Sequence, residues 1–176
     1  VLTAPSAAAT DGPGLVAALR THGVDAAGRR ALVLGAGGAA RAVIQALGAA
    51  GAAVTVAARR ESAAADAAAL APEARAVGFT ELDAVVAEAD LVVNVTPLGM
   101  AGEPPPFAPE ALRAGAFVYD TVYHPSPTPL LTACAARGIA HADGLSMLVH
   151  QAALAFTQWT GLVAPVEVMA AAAAVG

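Results

Sequence analysis

Ala31-Leu32-Val33-Leu34-Gly35-Ala36-Gly37-Gly38-Ala39-Ala40-Arg41 is the stretch on which the reading of this chain turns. Four apolar residues of strand character run into a glycine cluster, and an alanine-rich helical segment, Ala39–Ala50, follows at once. Gly35 suits a tight turn, and Gly37 lets the backbone come close to a pyrophosphate. Where a third glycine is usual in such a loop, this chain has Ala40, still small enough for a helix to pack on a strand. The first turn of that helix offers unsatisfied N–H groups and a partial positive charge. Gly35, Ala36, Gly37, Gly38 and Ala39 are therefore candidates to hold the phosphates of a dinucleotide.

Outward from this loop, short apolar runs alternate with helical segments. The runs are Ala31–Leu34, Ala53–Ala57, Ala74–Val77, Leu91–Val95, Ala116–Val122 and Ile139–Ala142. Helical patterns fill Ala39–Ala50, Glu61–Leu70, Glu81–Ala89 and Pro129–Arg137. This alternation predicts parallel strands joined by right-handed crossovers. The expected fold is α/β: a doubly wound, mostly parallel six-stranded Rossmann sheet with helices on both faces. Prolines 97, 104, 105 and 106 predict an irregular loop between Thr96 and Ala116, with a short helix near Pro109–Arg113. Residues 1–30, with a helix over Gly14–His22, and residues 145–176, with helices over Leu145–Thr157 and Pro165–Ala174, read as arms around a core of residues 31–144.

The second strand decides the kind of dinucleotide. An NAD site carries Asp or Glu about 20 residues beyond the glycines, to hold the ribose hydroxyls. Here the chain reads Ala57-Ala58-Arg59-Arg60, with no carboxylate before Glu61. A guanidinium fork suits a 2′-phosphate, so Arg59 and Arg60 favour NADP.

The totals exclude several classes. The 176 residues suffice for one α/β domain that needs no disulfides. The net charge is −5 and all nine basic residues are arginine, which argues against a nucleic-acid partner. No apolar stretch reaches the roughly 20 residues of a membrane span. A single cysteine, Cys134, fits a reducing cytoplasm. The chain starts at Val1 without a basic leader, so a trimmed piece of a longer polypeptide is expected.

Five segments, in this order, make the chain resemble the shikimate dehydrogenases: Thr10-Asp11-Gly12-Pro13-Gly14; Gly35–Arg41; Asn94-Val95-Thr96-Pro97-Leu98-Gly99-Met100; Tyr119-Asp120-Thr121-Val122-Tyr123; and Asp143-Gly144-Leu145-Ser146-Met147-Leu148-Val149-His150-Gln151-Ala152-Ala153. The resemblance implies reversible, NADP-dependent interconversion of 3-dehydroshikimate and shikimate in aromatic biosynthesis. It also implies a cleft between two domains, of which the N-terminal one binds most of the substrate and supplies a catalytic lysine. That domain has no counterpart here, and with no lysine in the chain no surrogate is kept. Residues 1–30 then become an inter-domain linker region, and 145–176 are expected to pack back toward the missing domain.

By the same resemblance Asp11 is catalytic and substrate-binding, the partner of the lysine in proton transfer. A ketone receiving hydride needs a proton source within hydrogen-bond reach. Asp11 is also placed to cap the Gly14–His22 helix, with Pro13 in its first turn. Tyr123 and Gln151 match substrate-contacting positions. Asn94, Thr96, Pro97, Thr121, Gly144 and Met147 join the glycine loop and Arg59 and Arg60 as cofactor-binding candidates. Met147 and Gln151, four apart, share one helix face, and Gly144 would let the backbone approach the nicotinamide carboxamide. The chain departs from the family at Ala9, where Asn is usual before Thr-Asp-Gly, and at Ala58–Ala63, where the basic pattern is shortened.

Cys134, His124, His141 and His150 read as structural, without metal-ligand spacing. His22 closes a helix, Trp159 reads as a packing residue near the domain edge, and Asp120 is placed to orient its neighbouring loop. The competing readings are a non-catalytic NADP-binding module and a quinate dehydrogenase. Apolar surface left uncovered by the missing domain predicts self-association into a homo-oligomer.

Overall fold

The computed structural model describes residues 10–174. The part of the 1–30 arm that falls on residues 1–9, Ala9 included, and the last two residues lie outside the described residues. Six strands form one sheet: β1 (Arg30–Leu34), β2 (Ala53–Ala57), β3 (Arg75–Val77), β4 (Leu91–Asn94), β5 (Phe117–Asp120) and β6 (Ala140–Ala142). Their spatial order is β3-β2-β1-β4-β5-β6, and all pairs are parallel. The expected doubly wound sheet is thus present, and parallel throughout.

Among the described residues seven helices accompany it: α1 (Asp11–Thr21), α2 (Gly38–Ala49), α3 (Glu61–Ala68), α4 (Leu82–Glu88), α5 (Pro129–Ala136), α6 (Leu145–Thr160) and α7 (Val166–Ala173). The expected short helix in the proline-rich loop is a single 3-10 turn at Pro109–Ala111. No helix among the described residues is long and apolar enough to cross a membrane.

The strands bury both faces, so their side chains alternate between two cores. Ala31 and Val33 of β1, Leu91 and Val93 of β4, and Tyr119 of β5 pack with Leu15 and Leu19 of α1, Val43, Ile44 and Leu47 of α2, and alanines of α3. Leu32, Leu34, Val92 and Val118 face the other way, against Leu82 and Val86 of α4 and Leu130, Leu131 and Cys134 of α5. Ala40 is fully buried, which is the packing that a small residue at that position allows.

Two glycines bring α1 close to its neighbours. A Cβ on Gly12 would stand 2.4 Å from the Ala42 carbonyl oxygen of α2, and one on Gly14 would stand 2.7 Å from Gln151 Cγ of α6. The glycines of the Thr10–Gly14 segment therefore serve helix crossing. Asp11 is the first helical residue rather than the cap; Thr10 holds the cap position, without a side-chain bond. Trp159 does not pack among the described residues: it is 85% exposed, and Leu162, Val163 and Val168 are exposed as well. Cys134 is buried in the core, and burial pushes its thiol up to about 11, as expected for a structural residue.

Candidate functional site

The register aligns the carboxyl ends of the four central strands. Ala57 pairs with Leu34, Leu34 with Asn94, and Asn94 with Asp120, so these four form a row across the sheet. At about 4.8 Å per strand, that row spans roughly 14 Å. The chain reverses its winding between β1 and β4, and such a switch point opens a crevice at the carboxyl ends of the strands. The glycine loop leaves β1 here, Arg59 follows β2, Thr96 follows β4 and Thr121 follows β5.

Gly35 makes the turn with φ +116°, a conformation that favours glycine, and its N–H donates to the Ala57 carbonyl at 2.8 Å. A Cβ there would also press on the Val95 carbonyl oxygen at 2.8 Å. Ala36 is half-buried against the core. Gly37, Gly38 and Ala39 are exposed at the start of α2, which has no side-chain cap. A Cβ on Gly37 or Gly38 would meet nothing within 4 Å. Open space over free helix N–H groups is the cradle that a pyrophosphate requires.

Arg59 and Arg60 are exposed at the end of β2, and neither side chain makes an ion pair or hydrogen bond among the described residues. The nearby carboxylate of Glu61 leans on Gly78, 2.6 Å from where a Cβ would stand there. Guanidinium groups without partners and a carboxylate turned to β3 suit a phosphorylated adenosine. The residues present fit an NADP dinucleotide.

The β4–β5 side carries an open cleft of about 590 Å³, lined by residues that include Ala39, Thr96, Pro97, Thr121 and Tyr123. Two candidates here are bonded within the loop itself. Asn94 is 2% exposed and all its side-chain hydrogen-bonding capacity is used internally. Its Nδ2 donates to Asp120 Oδ1 at 2.9 Å and the Leu98 carbonyl at 3.2 Å; its Oδ1 accepts from Thr96 N–H at 3.1 Å and Thr96 Oγ1 at 2.6 Å. Thr96 Oγ1 also accepts from Leu98 N–H at 3.2 Å. The side chains of Asn94 and Thr96 thus shape the loop, and Asn94 has no polar atom left for a ligand. Thr121 and Tyr123 do keep their hydroxyls: neither makes a side-chain hydrogen bond among the described residues, and Tyr123 is 51% exposed.

Gly144 has a packing reason of its own. A Cβ there would overlap the Thr121 carbonyl oxygen at 2.0 Å, so only glycine lets the start of α6 rest on the β5 loop. Met147 is buried in the core at 5% exposure, and its N–H donates to the Tyr119 hydroxyl at 3.0 Å. It offers a ligand little surface. Gln151, half-buried on α6, donates through Nε2 to Asp11 Oδ1 of α1, so the fold joins two of the three substrate-side candidates. Tyr123 lies in the cleft instead.

Sequence reasoning left out a chain of polar contacts behind this helix. Tyr119 is fully buried, with its hydroxyl 2.8 Å from Ser146 Oγ, which lies 3.2 Å from His22 Nε2. Burial pushes Tyr119 up to about 12, so it stays a neutral donor and acceptor. A tyrosine in an apolar strand run was the available signal, since a buried hydroxyl needs a partner. Among the described residues no group of three or more His, Cys, Asp or Glu is arranged to hold a metal ion.

Two family models match the chain: Shikimate / quinate 5-dehydrogenase over residues 17–98, and Shikimate 5′-dehydrogenase C-terminal domain over residues 144–174. A Moorella thermoacetica protein named shikimate dehydrogenase (NADP(+)) is 45% identical over 170 residues, covering 91% of this chain and 58% of the relative. The structure of the Thermus thermophilus shikimate 5-dehydrogenase, in complex with NADP(H) and shikimate, superposes with a TM-score of 0.82 at 39% identity, covering 93% of this chain and 61% of that one. The quinate dehydrogenase from Corynebacterium glutamicum, in complex with NAD, gives a TM-score of 0.79 at 34% identity, covering 92% and 58%. This chain thus spans about three fifths of the length of these relatives. On its sheet order, its glycine loop and these likenesses, the chain belongs to the shikimate dehydrogenase family.

Proposed function

We propose that this chain is the cofactor-binding portion of an NADP-dependent shikimate dehydrogenase. The observation that carries the reading is the uncapped, open start of α2 at Gly37–Ala39 on the same sheet edge as Arg59 and Arg60, whose side chains have no partner among the described residues. When bound, the dinucleotide gives or takes the hydride that interconverts 3-dehydroshikimate and shikimate. Gly35 to Ala39 hold its phosphates, and Arg59 and Arg60 meet the 2′-phosphate. Thr121, Pro97, Gly144 and Met147 border the nicotinamide, as do the loops shaped by Asn94 and Thr96.

On the substrate side, Gln151 orients the Asp11 carboxylate, and the Tyr123 hydroxyl contacts substrate at the cleft mouth. Asp11 is the partner of a lysine that this chain does not contain, carried by the part of the relatives it does not match. Residues 31–144 form the NADP-binding core, residues 1–30 the connection to that part, and 145–176 the helices that pack back toward it. The chain alone therefore turns over negligibly. The exposed Trp159, Leu162, Val163 and Val168 support a second body against α6 and α7, or self-association in its absence.

Calorimetric titration with NADPH and NADH tests the cofactor; binding of neither, or tighter binding of NADH, overturns it. Assays of the chain alone and with the relatives' N-terminal portion added test the activity, and robust turnover alone defeats that part. Light scattering at high concentration tests self-association. A quinate-acting reading has one support, the likeness to the Corynebacterium enzyme, and activity on quinate over shikimate in the supplemented assay would favour it.

A further inference from the structure

Asp120 ends β5 fully buried, in register with Asn94 of β4. Its Oδ1 accepts from Asn94 Nδ2 at 2.9 Å and from Val122 N–H at 3.2 Å, and its Oδ2 accepts from Thr128 Oγ1 at 2.7 Å. These donors come from three segments: the end of β4, the loop after β5, and the cap of α5. Thr128 in turn caps α5 by accepting from Leu131 N–H.

A carboxylate removed from water needs such partners, and burial raises its pKa above the ordinary carboxylate value even with them. Through Asn94 the bonding continues to Thr96 and Leu98. One carboxylate thereby ties together the loops Asn94–Leu98 and Thr121–Tyr123. Those loops are two walls of the cleft.

We propose that Asp120 is a positioning residue: it touches no ligand, but it locks the two cleft loops into one arrangement and so presents Thr121 and Tyr123 ready-made. Its ligand-binding consequence rests on the NADP reading above; the locking of the loops does not. A preorganised wall loses affinity when it loosens, because binding must then supply the ordering.

The test uses Asp120→Ala and Asp120→Asn in the whole chain, with two measurements: amide hydrogen exchange without ligand, and calorimetric titration with NADPH. Asp120→Ala is expected to speed exchange roughly tenfold at the Thr96, Leu98 and Val122 amides while β1 stays protected, and to weaken NADPH roughly tenfold. Asp120→Asn keeps the shape and the Oδ1 acceptor and can donate to Thr128 Oγ1, so both measurements should return to within about threefold of the parent. If Asp120→Ala does not fold, Thr128→Val removes the Oδ2 partner, together with the α5 cap, and should loosen the Thr96, Leu98 and Val122 amides by about threefold.

Unchanged exchange in both loops overturns the proposal. So do loosened loops with unaltered NADPH affinity, or an Asp120→Asn protein no better than Asp120→Ala. If the parent chain binds no NADPH, the cofactor reading fails, and exchange alone decides whether Asp120 locks the loops.

Discussion

On the β1–β2 side of the sheet edge, Gly37, Gly38 and Ala39 are exposed, and the Arg59 and Arg60 side chains have no partners among the described residues. On the β4–β5 side, Asn94, Thr96, Asp120 and Thr128 bond one another, and the buried Asn94 leaves nothing unsatisfied. The difference separates two ways of making a site. The first side leaves groups vacant for a charged ligand; the second uses its polar groups to fix a shape and leaves only a few hydroxyls over. Substitutions on the first side should change binding with little cost in stability, and on the second the reverse should begin.

The largest effect is expected at the seam of the fixed side. Gly144→Ala drives a Cβ into the Thr121 carbonyl, which is backbone and cannot swing away, and should cost about 3 kcal/mol in urea denaturation. A loss below about 1 kcal/mol would show that this wall yields. Next comes the vacant side. Arg59→Ala should weaken NADPH by about tenfold, leave NADH unchanged, and shift stability by less than about 0.5 kcal/mol. Equal losses for both cofactors would remove the 2′-phosphate contact.

Gly38→Ala sharpens the contrast within one residue. Gly38 is the first residue of α2 and its Cβ site is empty, so alanine should stabilise the fold by up to about 1 kcal/mol while weakening NADPH binding. Stability and affinity falling together would mean that the loop is not open as described.

The smallest effect serves as a control away from both sides. Asp90, bonded to Arg30 at 3.1 Å and to Arg113, has its pKa lowered from 3.8 to about 2, chiefly by the Arg30 hydrogen bond. A depressed folded-state pKa stabilises the fold above about 3.8, and that contribution fades as pH falls from there through about 2. Since Arg30 is half exposed, the contribution is at most about 1 kcal/mol. Asp90→Asn should lower stability by that amount at neutral pH and flatten the acid limb of a stability-against-pH curve.

The order of elements was legible because each strand is a short apolar run and each crossover helix is amphipathic. Strand β2, the starts of β4, α3, α5 and α6, and the ends of β1, β3 and β6 fall where the pattern puts them, and the remaining ends move by one to three residues. Helix α6 runs on to Thr160, where Gly161 at φ +70° stops it; that glycine was a stop signal in plain view. The phosphate loop was legible for the same local reason, since strand, glycines and helix are contiguous. The cleft was less so. Asn94 and Thr96 are polar residues at a strand end, and nothing local tells that Asn94 bonds to an acid 26 positions later while Thr96 bonds back to Asn94. Asp120 showed its place beside a loop but not its three donors, and Trp159 reads as a packing residue near the domain edge because an aromatic side chain alone does not say which body covers it.

The bond between Gln151 and Asp11 joins positions 140 apart, and His150 to Thr21 joins positions 129 apart. Among the described residues, the first helix thus docks on one of the last, and every strand lies between them in the sequence. During synthesis α1 can dock on α2 early but must wait for its α6 contact until all six strands have left the ribosome. Closing so long a loop comes late in folding, so the carboxylate at Asp11 acquires its partner only after the sheet between them is in place.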